Sequence, residues 1–356
     1  MKPSMSEVKQ PGPVSGMLLG RTFLSPAFDY LLIGGGLSLL VVVILLLVPS
    51  GYELVTEETL PYFFLLCNSA HFASSTVRLY TKPGACHSMP NVAMVLPLLA
   101  FLVLALCMFQ ADTLGPQLNA IYLTWSPFHY AAQAYGLSIM YCYRSGCLLG
   151  VHNKRLLWWV SMVPFFHNFM TGPKIGLHWI DVYGWLDGPL AIAALRWFWY
   201  TSPVLGVFLI GYVFWRIRRT EARPMPIISV MALVANAVWW FVLPPLDAFV
   251  WATIFHGVQY LAIVIIFHVK DQLARDGNRR GPIYHVVTFY GLSLLLGYGL
   301  FNCFPEAFLY AGFGRAESAL LTVAVINIHH FIVDAYIWRL KNTDTNRRIV
   351  DTGVPA

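Results

Sequence analysis

Ten apolar runs follow one another along this chain, near residues 28–49, 60–80, 91–111, 118–141, 156–171, 198–216, 226–243, 247–269, 284–303 and 316–339. A run of about 18 or more apolar residues is long enough to cross the hydrocarbon of a bilayer as a helix. Backbone N–H and C=O groups find no water there, so each segment must satisfy them internally, and a helix does so. The pattern therefore predicts an all-α fold, a polytopic integral membrane bundle of about ten transmembrane helices. Composition agrees: 58% of residues are hydrophobic and only 11% charged, with a mean hydropathy of +0.62, where a soluble domain carries roughly 25% charge. The fifth run is short and contains Pro164, so a break is expected within it. The stretch 176–197 is amphipathic and aromatic and is expected on the outer surface. Gly34, Gly35 and Gly36, inside the first run, suit close helix packing.

The cations fix an orientation. Arg78 and Lys82 follow the second run, and Arg144, Lys154 and Arg155 follow the fourth. Arg216, Arg218 and Arg219 follow the sixth, Lys270, Arg275, Arg279 and Arg280 the eighth, and Arg339, Lys341, Arg347 and Arg348 the tenth. The opposite loops carry Glu53, Glu57, Glu58, Asp112 and Asp247. Lys and Arg concentrate in cytoplasmic loops, so every even-numbered helix is expected to run from outside to inside, with both termini cytoplasmic. Residues 1–25 lack the order of a signal peptide and read as a cytoplasmic tail. Residues 26–341 read as a single transmembrane domain and 342–356 as a second cytoplasmic tail. The host is expected to be the inner membrane if the source is bacterial. The net charge of +6 and pI near 9.0 then reflect loops facing the cytoplasm, and no basic patch interleaved with aromatics suggests nucleic acid as a partner. The six cysteines form no CxxC pair, so no disulfide framework is expected.

Four of the inward-running helices carry histidine: His71, His129, His256 and the pair His329–His330. Counted from the outer end, these lie roughly 14 to 21 Å deep at 1.5 Å per residue, near the bilayer midplane. Ionisable groups at that depth are expensive and usually partnered. Residues three and four apart share a helical face, and each histidine has polar company at that spacing. Asn68 and Ser75 flank His71, Gln133 follows His129, Gln259 follows His256, and Asn327 and Asp334 flank His330. Tyr130, Tyr135, Tyr260 and Tyr336 add hydroxyls.

Imidazole is the commonest neutral nitrogen ligand for Fe, Cu and Zn, and ligand histidines donate their other N–H to a carboxylate or amide. His71, His129, His256, His329 and His330 are therefore the candidate metal ligands. Gln133, Gln259, Asn68 and Asn327 are candidates to orient them. Asp334, Tyr260 and Tyr135 are the candidate catalytic groups, Asp334 either binding metal or holding an imidazole. Iron suits three or four histidines with one carboxylate better than a closed zinc site, which prefers thiolates; copper and zinc remain alternatives. A single buried histidine is more often a hydrogen-bonded packing residue than a ligand, and the metal reading rests on four at one depth. His87, His152 and His285 are expected to be solvated, His268 interfacial, and His167 and His178 structural residues toward the outer side that could line an entrance.

The run His329 to Arg339, "HHFIVDAYIWR", resembles the last helix of the bacterial carotene dioxygenases of the Brp/Blh type, in which an Asp follows a His by five residues before an aromatic run ending in Arg. "HFASST" at His71 is similar to another segment of that family without its acidic residue, and His256 stands where the family has a His-x3-His pair, with Tyr260 in the second place. The likeness covers about 40 of 356 residues. It implies an integral membrane oxygenase with histidine-bound non-haem iron.

Together these readings favour a membrane-embedded, metal-dependent oxidoreductase, a non-haem iron oxygenase, acting on a lipophilic small molecule in the bilayer, with a redox partner. Two classes compete. A haem-binding electron carrier would use the histidines as axial ligands, although two stacked haems would want histidines at two depths. A transporter, or a structural subunit of a membrane complex, would use them as a proton relay or for packing. No P-loop, GxSxG or HExxH motif occurs in a usable setting.

Overall fold

A computed structural model describes residues 18–48, 58–82, 85–338, 346, 349 and 350. Their regular structure is helix, with no strand among them. The helices used below are α1 (Gly36–Leu47), α2 (Ala70–Thr81), α3 (Leu96–Phe109), α4 (Ala111–Arg144), α5 (Val151–Ser161), α6 (Val163–Thr171), α7 (Pro189–Thr220), α8 (Ile227–Val242), α9 (Pro245–Leu273), α10 (Pro282–Tyr298), α11 (Phe304–Tyr310) and α12 (Arg315–Ile337). Glu53, Glu57, Arg339, Lys341, Arg347 and Arg348, most of the first expected tail and most of the second lie outside the described residues.

Among the described residues, helix covers most of each of the ten expected runs. Among the described residues, five helical stretches are long and apolar enough to cross a membrane: Asn91–Phe109, Pro189–Thr220, Pro245–Leu273, Pro282–Tyr310 and Arg315–Ile337. A sixth is added if Pro26–Ile33 and α1, bent by 55°, count as one span. The bend falls at Gly35, whose φ of 80° is left-handed. A Cβ there would also collide with Ala235 of α8, so glycine serves both the turn and the close approach. The fifth run divides as Pro164 predicts, into α5 and α6. In the stretch 176–197, residues 189–197 belong to the continuous α7, preceded by Gly176–Ile180 and the short turn Trp185–Asp187.

Burial sorts the helices. In their most apolar windows, 72% of α9 and 61% of α12 are buried, against 17% of α7 and of Pro282–Tyr310. α9 and α12 form the centre, and α3, α7 and α10 present Leu98, Leu102, Val207, Phe208, Val287 and Leu295 outward. Apolar surface of that extent requires an apolar surrounding.

The ends that carry the cations meet. Arg144 donates to the carbonyls of Thr22 (2.8 Å) and Ile349 (3.3 Å), Lys270 to Phe23 (3.4 Å), and Arg275 to Thr81 (2.9 Å). The segments expected as free tails join this end. Phe23 is buried against Tyr141 and Phe267, and Asn346 and Val350 are fully buried. The Asp29 carboxylate accepts the N–H groups of Phe23 (2.5 Å) and Leu24 (3.0 Å) and the hydroxyl of Tyr141 (2.8 Å), which satisfies a buried charge with donors.

Candidate metal centre

His71 lies on α2, His129 on α4, His256 on α9 and His330 on α12. One ring nitrogen from each lies within 4.8 Å of every other. The rings stand edge to face, with centroids 4.4 Å apart for His71–His330, 4.7 Å for His71–His256, 5.0 Å for His129–His256 and 5.1 Å for His129–His330. All four side chains are buried.

Backbone geometry brings them this close. A π-helical turn, Phe64–Ser69, precedes α2 and resets the face on which His71 emerges; such insertions recur at functional sites. Gly257, beside His256, lets α9 approach that turn, because a Cβ there would meet the Cys67 carbonyl oxygen at 2.7 Å. Gly297 of α10 does the same against the carbonyl oxygen of Ser69, at 2.7 Å. Pro127, inside α4, removes one helix hydrogen bond a half-turn before His129.

The nitrogens that converge accept or donate no hydrogen bond within the protein. Both ring nitrogens of His71 and the Nε2 atoms of His129, His256 and His330 are buried without a hydrogen bond. Buried polar groups are nearly always paired, and a neutral imidazole brings one donor and one acceptor. Four orphaned nitrogens converging on one point are what a cation would satisfy. Metal–imidazole bonds of about 2.0–2.1 Å put neighbouring ligand nitrogens roughly 3 to 3.4 Å apart, so these nitrogens, within 4.8 Å of one another, would draw together on binding an ion. The second nitrogen of His330 is already held: Nδ1 lies 2.9 Å from Ser75 Oγ, the kind of bond that fixes a ligand tautomer.

Asp334, one turn beyond His330, completes the site. Its Oδ2 lies 3.4 Å from His330 Nε2 and 3.8 Å from His129 Nε2, and its Oδ1 accepts the Tyr260 hydroxyl at 2.6 Å. Trp338 Nε1 donates to that hydroxyl at 3.3 Å. Among the described residues no Lys or Arg reaches Asp334 within ion-pair distance. A buried carboxylate costs several kcal/mol unless a cation or strong donors attend it, and a bound metal ion would supply that charge.

Beside the histidines opens a cavity of about 700 Å³. Trp125, Phe128, Met140, Ile263 and Phe331 are among its apolar lining, and His129, Gln133, Tyr135, Tyr260 and Asp334 supply polar groups.

Several expected residues sit elsewhere or do other work. His329, a third of a turn from His330, is outside the group of four, because adjacent helical residues cannot both face one point. Gln259 donates to the carbonyl of Ile33 at 3.1 Å and ties α9 to the first segment, away from any imidazole. Gln133 reaches the backbone carbonyl of His256 at 3.3 Å, not a ring. Asn327 folds back onto the carbonyl of Val323 at 2.7 Å. Asn68 is buried with an unpartnered Oδ1. Tyr135 lines the cavity. Ser75, expected beside His71, serves His330 instead. His285, expected to be solvated, is buried and bonded to Asn278 at 3.0 Å, and His268 is buried and stacked on Phe289 at 4.2 Å. His167 bonds Ser202 at 2.6 Å and packs on Trp199 and Phe241. The sequence reading overlooked Trp338, though it follows Asp334 by four and so shares its face, and Arg78, two turns beyond His71. No known protein-family profile matches the chain, and no curated protein or solved structure does either.

Proposed function

We propose that this chain is a multi-pass membrane oxidoreductase that holds one redox-active metal ion, iron, between His71, His129, His256 and His330 and acts on a lipophilic small molecule admitted to the adjoining cavity. The observation that carries the reading is the convergence of four buried ring nitrogens without hydrogen-bond partners. Neutral nitrogen donors with a nearby carboxylate and no thiolate suit divalent iron or copper. The metal, when bound, would supply Lewis acidity and electron transfer.

The chain's own residues do the rest. The four imidazoles bind. Ser75 orients His330, and Tyr260 holds Asp334 with Oδ2 turned toward two of the rings. The aromatic and aliphatic wall excludes water and accepts an apolar body. His129 and Asp334 sit on the cavity margin, so the centre is open on that side and differs from a sealed structural site. The haem alternative fits poorly, because four nitrogens within 4.8 Å leave no room for a macrocycle between them. The resemblance to carotene dioxygenases implied His329 as the ligand, five residues before Asp334, whereas the group supporting this reading uses His330, four before it.

The proposal includes ten spans with both termini and the cation-bearing ends in the cytoplasm. It is supported by helix over most of each of the ten runs and by the meeting of Arg144, Lys270, Arg275 and the terminal segments at one end. The test is elemental analysis of the detergent-purified protein, followed by dioxygen uptake with lipid extracts. About one iron per chain and lipid-dependent uptake are expected. Absence of any stoichiometric transition metal overturns the reading.

A further inference from the structure

Tyr260 is in contact with two of the histidines, its ring centroid 4.6 Å from His71 and 5.6 Å from His330. It is buried. Its hydroxyl donates to Asp334 at 2.6 Å and accepts from Trp338 Nε1 at 3.3 Å. Trp338 is half-buried and lies 5.4 Å under the guanidinium of Arg78. Arg78 in turn binds Asp271 and Asn346, each at 3.1 Å, at the cation-bearing end of the bundle. From this chain of contacts we infer that Tyr260 and Trp338 form a one-electron relay between the metal centre and that end of the protein. The inference rests on the metal-oxidoreductase reading.

Tyrosine and tryptophan are the side chains most easily oxidised by one electron, and a phenol loses an electron readily only if its proton has somewhere to go. Tyr260 has a carboxylate for that purpose. The other tyrosine against the cluster, Tyr130, 4.3 Å from His256, has the hydroxyls of Thr253, at 2.8 Å, and Ser126 as its partners, and neither is a base. The oxidant is the metal ion after an oxidant of the dioxygen or peroxide class has drawn electrons from it. One electron passes from Tyr260 to the ion, the phenolic O–H bond breaks, and its proton moves to Asp334 Oδ1. The ion gains one negative charge and Asp334 loses one, so the net charge of the buried site is unchanged, which spares the cost of uncompensated charge in a low dielectric. Next the Nε1–H bond of Trp338 breaks, its electron and proton pass along the existing hydrogen bond, and the Tyr260 O–H re-forms. A neutral indolyl radical remains. The Arg78 cation beside the ring disfavours a radical cation there and so favours loss of that proton. An external one-electron reductant and a proton from water restore Trp338.

The experiment uses full-length, iron-loaded protein with iron measured in every sample. Hydrogen peroxide is added, the mixture is frozen within milliseconds, and electron paramagnetic resonance records the metal and organic radicals. The wild type is expected to give an organic radical that ascorbate removes quickly. Tyr260→Phe should keep its iron and lose the radical. Trp338→Phe should give a purely tyrosyl spectrum that ascorbate removes more slowly, and Tyr130→Phe should match the wild type. The relay is overturned, with the metal reading intact, if iron is bound and responds to peroxide but no organic radical forms, or if the radical survives in Tyr260→Phe. Should Tyr260→Phe fail to hold iron, Trp338→Phe decides, and a wild-type spectrum and lifetime there overturn the relay. A wild type without stoichiometric metal overturns both readings.

Discussion

At His71 the polar bookkeeping is most lopsided: a fully buried imidazole with neither nitrogen partnered. Replacing it, His129, His256 or His330 by Ala should abolish metal retention, because a buried site that loses one ligand leaves the others uncompensated. His87→Ala and His152→Ala, on exposed residues, should retain metal, and His329→Ala should as well. Ser75→Ala should weaken metal binding by about 10–100-fold, the usual cost of removing a group that orients a ligand. Equilibrium dialysis against radioactive iron measures all of these, and equal retention across the set would reduce the cluster to packing. A second residue-scale expectation lies at the end of α2. Burial, with help from the Arg78 charge and against the pull of Asp271, pushes the Lys82 ammonium down to about 8 from its ordinary 10.5. The folded chain therefore binds fewer protons than the unfolded one between those values, and stability should rise with pH across that window. Competitive acetylation read by mass spectrometry should find Lys82 half-reactive near pH 8; a midpoint near 10.5 would remove the claim.

Elements decide whether such residues can meet. The π-helical turn Phe64–Ser69 and the contacts of Gly257 and Gly297 bring three backbones close enough for imidazoles to share an ion. Gly257→Val touches no ligand, yet its added carbons would push α9 from the Cys67 carbonyl. It should lower metal affinity and thermal stability together, the latter by about 1–3 kcal/mol as overpacking does; dialysis and thermal scans with and without metal check it. Unchanged affinity would mean that helix spacing does not govern the site. This level was the least legible in the sequence. Apolar runs report length and mean burial, so the helices and the common depth of the four histidines could be read. A π insertion leaves no mark in hydropathy, and partners three or four residues away were inferred on the same helix, whereas Ser75 of α2 serves His330 of α12. Gln259 and Asn327 were misread for the same reason: an amide in an apolar helix must bond something, and a backbone carbonyl was nearer than a ring.

For the whole molecule, the sequence revealed the all-helical class and the pairing of cation-bearing ends, since both follow from composition along the chain. It did not reveal that the terminal segments are part of the core, because Phe23 and Asn346 lie in polar stretches that no periodicity marks. Their burial closes the end that carries Arg78, Arg144 and Lys270, and those cations predict the orientation. Crossing a bilayer with Arg144, Lys270 and Arg275 on the outer side would oppose the bias of Lys and Arg toward the cytoplasm, whereas Glu58 and Asp247 at the opposite ends carry no such bias. A cysteine placed at Arg279 should therefore react with a membrane-impermeant maleimide only after cells are opened, and one at Glu58 should react in intact cells. The reverse pattern would invert the orientation, and labelling of both sites in intact cells would break the even-numbered repeat expected to put His71, His129, His256 and His330 on helices running the same way.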